Sequence, residues 1–252
     1  MEKKKGRIEA ISIVIPVFNE SDNILPLINE IDEVLKKVIK FEILVIDDGS
    51  TDSTYSKTIN RSKNLKALRV LRHDKNYGQS ISIRTGILKA KEDYIITLDG
   101  DGQNNPMDII KLLNYYDKSK GFLLVIGNRI KRNDSKFRII ASRLAFFIRQ
   151  TILKDKTPDN GCAIKLFKKK DFLLLPFFNH IHRFLPVFFK VCGGEVISVP
   201  VDHRKRVSGY SKYSNFQRAI VGFYDLFGVL WLRKRTFLPI LKNVKTKKIK
   251  IK

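Results

Sequence analysis

The chain has 252 residues, 43% of them hydrophobic and 29% charged, and a formal net charge of +24 at pH 7. That length holds one α/β domain, or one domain with an appendage, and that apolar share sets intrinsic disorder aside. The two cysteines and four histidines spell neither a disulfide framework nor a zinc site, and no window reaches the roughly 18–20 uninterrupted apolar residues of a membrane span.

Along the chain, "MEKKKGRIEA" is charged and is followed by a short apolar run. It reads as the approach to a first strand and not as a signal peptide. "ISIVIPVF" is that strand, ending at Asn19 and Glu20. "SDNILPLINEIDEVLKKV" has apolar residues at helical spacing, with Ser21 or Asp22 able to cap. "FEILVIDD" is a second strand. In "DDGSTDST", Gly49 supplies a turn and Asp52 can cap the next helix, while Asp47 and Asp48 stand at the strand end, facing a ligand. Then come a strand "LKALRVL", a helix through "SISIRTGILKA", a strand "DYIITLD", a helix "PMDIIKLLNYY" and a strand "GFLLVIGN". Near-continuous apolar strands alternating with amphipathic helices predict a mostly parallel sheet covered on both faces.

In such sheets ligands bind beyond the carboxyl ends of the strands. Three acidic groups fall there: Glu20, Asp47-Asp48 and Asp99-Gly100-Asp101. Carboxylates crowded together repel unless a cation joins them. The strand-end "DGDGQ" therefore points to Mg²⁺ or Mn²⁺, held by Asp101 and the carbonyl oxygen of Gln103 and bridging to substrate phosphates. No dinucleotide fingerprint follows the first strand, and no P-loop motif occurs.

The second half carries the charge. From His203 onward there are fourteen Lys or Arg against one acid, Asp225. Basic residues surround Gly209 in "HRKRVSGYSKYS". Asp159 in "TPDNG" is either a turn residue or an acceptor-side carboxylate. His180 and His182 read as structural. Phe216, Ile220, Phe223, Phe227, Leu230 and Trp231 form an apolar helical face beside "RKR". That face suits an anionic membrane surface, a docking site on the domain, or both. Nucleic acid is set aside as a partner, because it leaves the acidic strand ends unexplained.

The motifs "IVIPVFNE", "ILVIDDGSTD", "NYGQSISIRTGI", "YIITLDGDGQNNP" and "GNR" resemble the inverting nucleotide-sugar glycosyltransferases of family 2, with the GT-A fold. "PDNGCAIKLFKK", "HRFLPVFF" and "VPVDHRKRVSGYSKY" are similar to the dolichol-phosphate mannosyltransferase and polyprenyl-phosphate glycosyltransferase branch. The resemblance implies a nucleotide-sugar pocket of Pro16, Phe18, Glu20, Asp48, Asp99, Gly100, Asp101 and Gln103, with Phe18 where Tyr is commoner. It implies a metal on Asp101 and Gln103, and acceptor-phosphate arginines at Arg129 and Arg143. Arg206, Gly209, Ser211 and Lys212 match a loop that folds over the donor diphosphate. Catalysis is expected to rest on Asp101, Arg129, Arg206 and Lys212. The expected division is a transferase domain over 1–212 and an amphipathic helix with a basic tail over 213–252. The implied partners are a nucleoside-diphosphate sugar and a lipid phosphate at the inner face of a membrane, with the protein cytoplasmic and peripheral. A phosphate monoester with a second pKa of about 6 is already anionic and needs no general base. A sugar-hydroxyl acceptor, the alternative, would need one, and Asp159 is its first candidate.

Overall fold

The computed structural model describes residues 8–130, 150–204 and 215–236, with the backbone alone for 215–221 and 223. The elements are β1 (Ala10–Val17), α1 (Ile24–Leu35), β2 (Lys40–Asp47), α2 (Thr54–Ser62), β3 (Leu68–Arg72), α3 (Gln79–Lys89) and β4 (Tyr94–Thr97). They continue with α4 (Asp108–Tyr115), β5 (Leu123–Arg129), β6 (Lys165–Lys168), α5 (Lys169–Leu173), a 3-10 turn (Ile181–Arg183), α6 (Leu185–Val191), β7 (Glu195–Val201) and α7 (Asn215–Arg235).

The strands form one sheet in the order β3-β2-β1-β4-β6-β5-β7. β6 runs antiparallel to β4 and β5, and the other pairs are parallel. This is the expected mostly parallel α/β architecture. Consecutive residues of β1, from Ile11 to Ile15, are all buried, so both faces of the sheet are covered there. Parallel neighbours need long crossovers, and α1, α2 and α3 supply them. The helix α1 buries Ile24, Leu27, Ile28, Ile31 and Leu35, a stripe at helical period.

Two helix starts differ in detail from expectation. α1 begins after Asn23, with no side-chain cap, because the main-chain carbonyl of Glu20 accepts from Asn23 N and Ile24 N at 3.1 and 3.0 Å. At α2, Asp52 Oδ1 accepts from Thr54 N at 2.9 Å, one residue ahead of the cap position. The apolar stretch Phe172–Phe189 is divided among α5, the 3-10 turn and α6, around the polar Asn179 to Arg183. Among the described residues no helix is long and apolar enough to cross a membrane.

The helix α7 docks on the domain through Leu226 and Val229, which are buried. His180 Nδ1 lies 2.8 Å from Asp225 Oδ2, which fixes its rotation. Tyr224, Phe227 and Trp231 face outward, 73%, 54% and 60% exposed. Of the face read from the sequence, Leu230 packs on the core, and Phe227 and Trp231 are more than half exposed. The side chains of Phe216, Ile220 and Phe223 lie outside the described residues.

A buried carboxylate ties the N-terminal strands together. Glu42 on β2 accepts from Ser12 Oγ of β1 at 2.6 Å, Lys91 N at 2.5 Å and Arg69 Nη1 of β3 at 2.7 Å. Burial alone would raise its pKa, but these donors hold it below the ordinary value of 4.5. A depressed folded pKa adds stability above the unfolded value and loses it as pH falls through the folded one. Glu42→Gln should therefore cost about 1–3 kcal/mol at pH 7, the scale of a buried charged hydrogen-bond partner. That cost should shrink as pH drops below about 4.5. Urea unfolding of both proteins at neutral and acidic pH measures it.

Candidate active site

The first wall of the site is two loops stitched together. Asn19, at φ 53°, follows β1 and turns its Oδ1 onto Thr51 N at 2.8 Å. Asn19 N donates to Ser50 Oγ at 2.9 Å and Glu20 N to Thr54 Oγ1 at 2.8 Å. Glu20 Oε2 accepts from Asn23 Nδ2 at 2.7 Å. Gly49 is required where it stands: its φ is +72°, and a Cβ would come within 2.5 Å of the Lys75 carbonyl carbon.

The aspartates ending β2 turn inward, contrary to the ligand-facing expectation. Asp47 is fully buried, with Oδ2 3.1 Å from Arg72 Nε. Asp48 is 3% exposed. Its Oδ1 accepts from Tyr77 N at 3.1 Å and lies 2.7 Å from His73 Nδ1, and its Oδ2 accepts from Gly78 N at 2.7 Å. The backbone amides of the loop after β3, at Tyr77 and Gly78, are what the Asp48 side chain meets. Asp48 thus anchors the entry to α3, and its carboxylate is taken up by this chain.

The second wall follows β4. Gly100 packs against β1, where a Cβ would lie 2.5 Å from Val17 Cγ1 and 3.3 Å from Pro16 O. That contact sets the "DGDG" turn directly beside Pro16 and Val17. Asp101 Oδ1 accepts from Gln103 N at 3.1 Å. Asp99 Oδ1 accepts from Gln79 Nε2 at 2.7 Å. The Asp99 carboxyl is pushed up to about 7, first by burial and then by the charge of Asp101, with Glu20 adding and Lys165 and Arg129 opposing. Carboxylates so placed hold one another's charge in check, which is a setting a divalent cation would relieve.

The third wall is Arg129 at the end of β5. Its Nε and Nη2 donate to Asp159 Oδ2 and Oδ1 at 2.6 and 2.9 Å, and Asp159 is 2% exposed. The remaining nitrogen, Nη1, lies 3.5 Å from His203 Nε2. Burial disfavours the guanidinium charge, but the Asp159 bonds together with the charges of Asp159 and Asp99 leave its pKa raised on balance. Asp155 supports this turn by accepting from Thr157 N, Asn160 Nδ2 and Lys190 Nζ at 3.0, 2.6 and 3.1 Å. The chain leaving β7 then closes on the "DGDGQ" turn. Arg204 N donates to Gln103 O at 2.9 Å, and Gln103 Nε2 donates to Arg204 O at 3.3 Å. With its amide nitrogen so engaged, Gln103 has its side-chain oxygen to offer a cation.

Pro16, Phe18, Glu20, Asp99, Gly100, Asp101, Gln103 and Arg129 thus gather at the carboxyl ends of β1, β4 and β5, with Asp48 buried behind them. Arg143, Arg206 and Lys212 lie outside the described residues, as do Gly209 and Ser211. His182 is structural in its bonding, its Nδ1 2.6 Å from Ser80 Oγ. Gln79, Lys165 and His203 were not singled out from the sequence. Among the described residues no three His, Cys, Asp or Glu side chains form a group able to hold a metal unaided.

Comparison with known proteins agrees with this arrangement. The sequence profile of Glycosyl transferase family 2 matches residues 12–173. The chain is 32% identical over 239 residues to the undecaprenyl-phosphate 4-deoxy-4-formamido-L-arabinose transferases of Salmonella choleraesuis and Salmonella paratyphi B. Those alignments cover 94% of this chain and 72% of each relative. Mannosyl-3-phosphoglycerate synthase from Rubrobacter xylanophilus shares the fold at a TM-score of 0.70 and 15% identity, over 94% of this chain and 78% of that one. Glucosyl-3-phosphoglycerate synthase from Mycobacterium tuberculosis, solved with Mn²⁺, uridine diphosphate and phosphoglyceric acid, shares it at 0.66 and 17%, over 89% and 78%.

The Asp48 anchor generates a direct test. Asp48→Ala leaves the Tyr77 and Gly78 amides without their acceptor, at a cost of about 1–3 kcal/mol. Hydrogen exchange should speed up at those two amides far more than in β1 or β2. Unchanged protection at Tyr77 and Gly78 would show that the carboxylate does not hold this loop.

Proposed function

We propose that this chain, which belongs to glycosyl transferase family 2, moves a sugar with inversion from a nucleoside-diphosphate sugar to a polyprenyl phosphate. The observation that carries the acceptor class is the Arg129–Asp159 pair. An inverting transfer to a sugar hydroxyl needs a carboxylate to take its proton. Asp159, the first candidate, has both oxygens already engaged by the Arg129 guanidinium. A phosphate monoester brings its own negative charge and asks only for placement and neutralisation. The names of the Salmonella relatives, which specify undecaprenyl phosphate, support the same acceptor.

The residues divide the work as follows. Pro16, Phe18 and Glu20 border the nucleotide, and Asp48 holds the loop behind it. Asp99 faces the ribose or the sugar. Arg129, aimed by Asp159, meets the acceptor phosphate through Nη1, with Arg143 proposed beside it and Arg206 and Lys212 on the diphosphate. Asp101 and Gln103 would hold Mg²⁺ or Mn²⁺, which supplies charge neutralisation to the leaving diphosphate. Mannose or glucose is the proposed sugar. The L-arabinose derivative in the relatives' names is the competing candidate.

The test is a screen of UDP- and GDP-sugars with undecaprenyl phosphate and Mn²⁺ or Mg²⁺, read as lipid-linked sugar. Asp101→Ala should keep its unfolding midpoint and lose roughly 10²-fold or more in turnover, the scale of lost transition-state charge stabilisation. Undiminished activity in that variant, or in EDTA, would remove the metal. Transfer to a sugar hydroxyl and none to the lipid phosphate would replace the acceptor.

For location, the outward Tyr224, Phe227 and Trp231 support peripheral attachment to the cytoplasmic face of a membrane. Arg235 lies over the Trp231 ring at 5.8 Å, and Arg233 and Lys234 share the last turn. Basic residues near an anionic surface contribute about 1 kcal/mol each, screened by salt. Flotation with phosphatidylglycerol-containing liposomes should show binding that salt weakens in part. Replacing Tyr224, Phe227 and Trp231 by Ser should abolish it and leave the buried face of α7 untouched. Equal flotation of this variant would assign the attachment elsewhere.

A further inference from the structure

We infer that Gln79 and Lys165 are positioning residues that hold the Asp99 carboxylate in place for the donor; this rests on the donor-facing reading of Asp99. Neither side chain is part of the catalytic or binding set described above, and each acts through Asp99.

Gln79 is the first residue of α3, and its Nε2 donates to Asp99 Oδ1 at 2.7 Å. Its backbone is fixed from both sides. Ahead of it, Tyr77 N and Gly78 N are bound by Asp48, and Gly78 has φ +94°. Behind it, Ser80 Oγ lies 2.6 Å from His182 Nδ1. An exposed glutamine on a free loop would pay rotamer entropy for its bond to Asp99. Here the main chain delivers the amide to its acceptor from a fixed origin.

Lys165 approaches from the opposite side. It is 3% exposed, although lysine is almost never fully buried unless paired. It stands on β6 directly across from Thr97 of β4. Asp99 lies two residues beyond Thr97, just past the end of β4, within electrostatic range of Lys165. Lys165 Nζ donates to Cys162 O. Burial pushes its pKa below the ordinary lysine value, and the neighbouring charges, those of Asp99 and Asp159 among them, offset that only in part. A lysine kept only for packing would be replaceable by an apolar chain of the same length, with a gain in stability. Its cation opposes the repulsion that Asp101 exerts on Asp99.

The experiment compares the full-length wild type with Asp99→Asn, Gln79→Ala, Lys165→Met, Lys165→Arg and Gln79→Ala/Asp99→Asn. UDP and GDP affinities in Mn²⁺ are measured by calorimetry, together with sugar transfer and thermal midpoints. Asp99→Asn should lose at least tenfold in kcat/KM, roughly the scale of one lost binding or transition-state contact. Lys165→Met should lose a comparable factor with its midpoint unchanged or raised, and Lys165→Arg should recover part of it. Gln79→Ala should raise KM for the donor, and the double variant should be no worse than Asp99→Asn alone. Wild-type behaviour of Asp99→Asn would overturn the reading of Asp99 and the proposal with it. Loss in Asp99→Asn with wild-type kcat/KM in Gln79→Ala and Lys165→Met would overturn the proposal alone. A fall in activity of Lys165→Met matched by a fall in its midpoint would make Lys165 a structural residue and also overturn it.

Discussion

Like charges held close together at the end of a buried strand set the conditions for the rest of this site. Asp99 and Asp101 leave β4 two residues apart, with Glu20 in electrostatic range and burial adding to the strain. Such a group persists only if other groups compensate it. Lys165 and Arg129 do so in part, and Gln79 bonds one oxygen of Asp99. The shortfall is what supports the turn as the proposed seat of a divalent cation. A protein that compensated these carboxylates fully by itself would have little to offer that ligand.

The compensation works because the walls are rigid. Asn19 bridges two loops through main-chain amides, Asp48 fixes the entry to α3, and Gly100 lets the acidic turn press against β1. Preorganisation of this kind would reduce the ordering cost of assembling the proposed donor and acceptor. The Arg129–Asp159 pair follows the same logic. Asp159 engages two of the guanidinium's three nitrogens, and so fixes the plane in which the remaining one is presented.

The excess positive charge and the sparse acidic residues therefore have separate places. The acids that matter chemically are gathered at the strand ends, and lysines and arginines dominate after β7. The helix α7 divides its apolar residues between the two needs. Leu226 and Val229 dock it, and Tyr224, Phe227 and Trp231 are left facing out beside the basic last turn. A helix with apolar residues on more than one side can serve its own domain and an interface together.

The sequence by itself determined the fold class, because strand-length apolar runs alternating with amphipathic helices have few solutions other than a covered parallel sheet. It also marked the edge where the site forms, since Glu20, Asp48, Asp99, Asp101 and Arg129 follow strands whose ends were legible. β6 was not legible as a strand: it is four residues long with lysine at each end, and nothing local predicts that it inserts antiparallel between β4 and β5. That insertion, which only tertiary structure decides, brings Lys165 across from Thr97 and turns a surface residue type into a buried cation. The roles of Asp48 and Asp159 were likewise out of reach. An aspartate beyond a strand can face a ligand or the protein, and which it does depends on whether amides or a guanidinium from distant segments arrive first. For Asp48 the partners lie 29 and 30 residues away, and for Asp159 the partner lies 30 residues away. Periodicity carries local geometry, whereas the pairing of buried charges is fixed only when the folded chain removes water from between them.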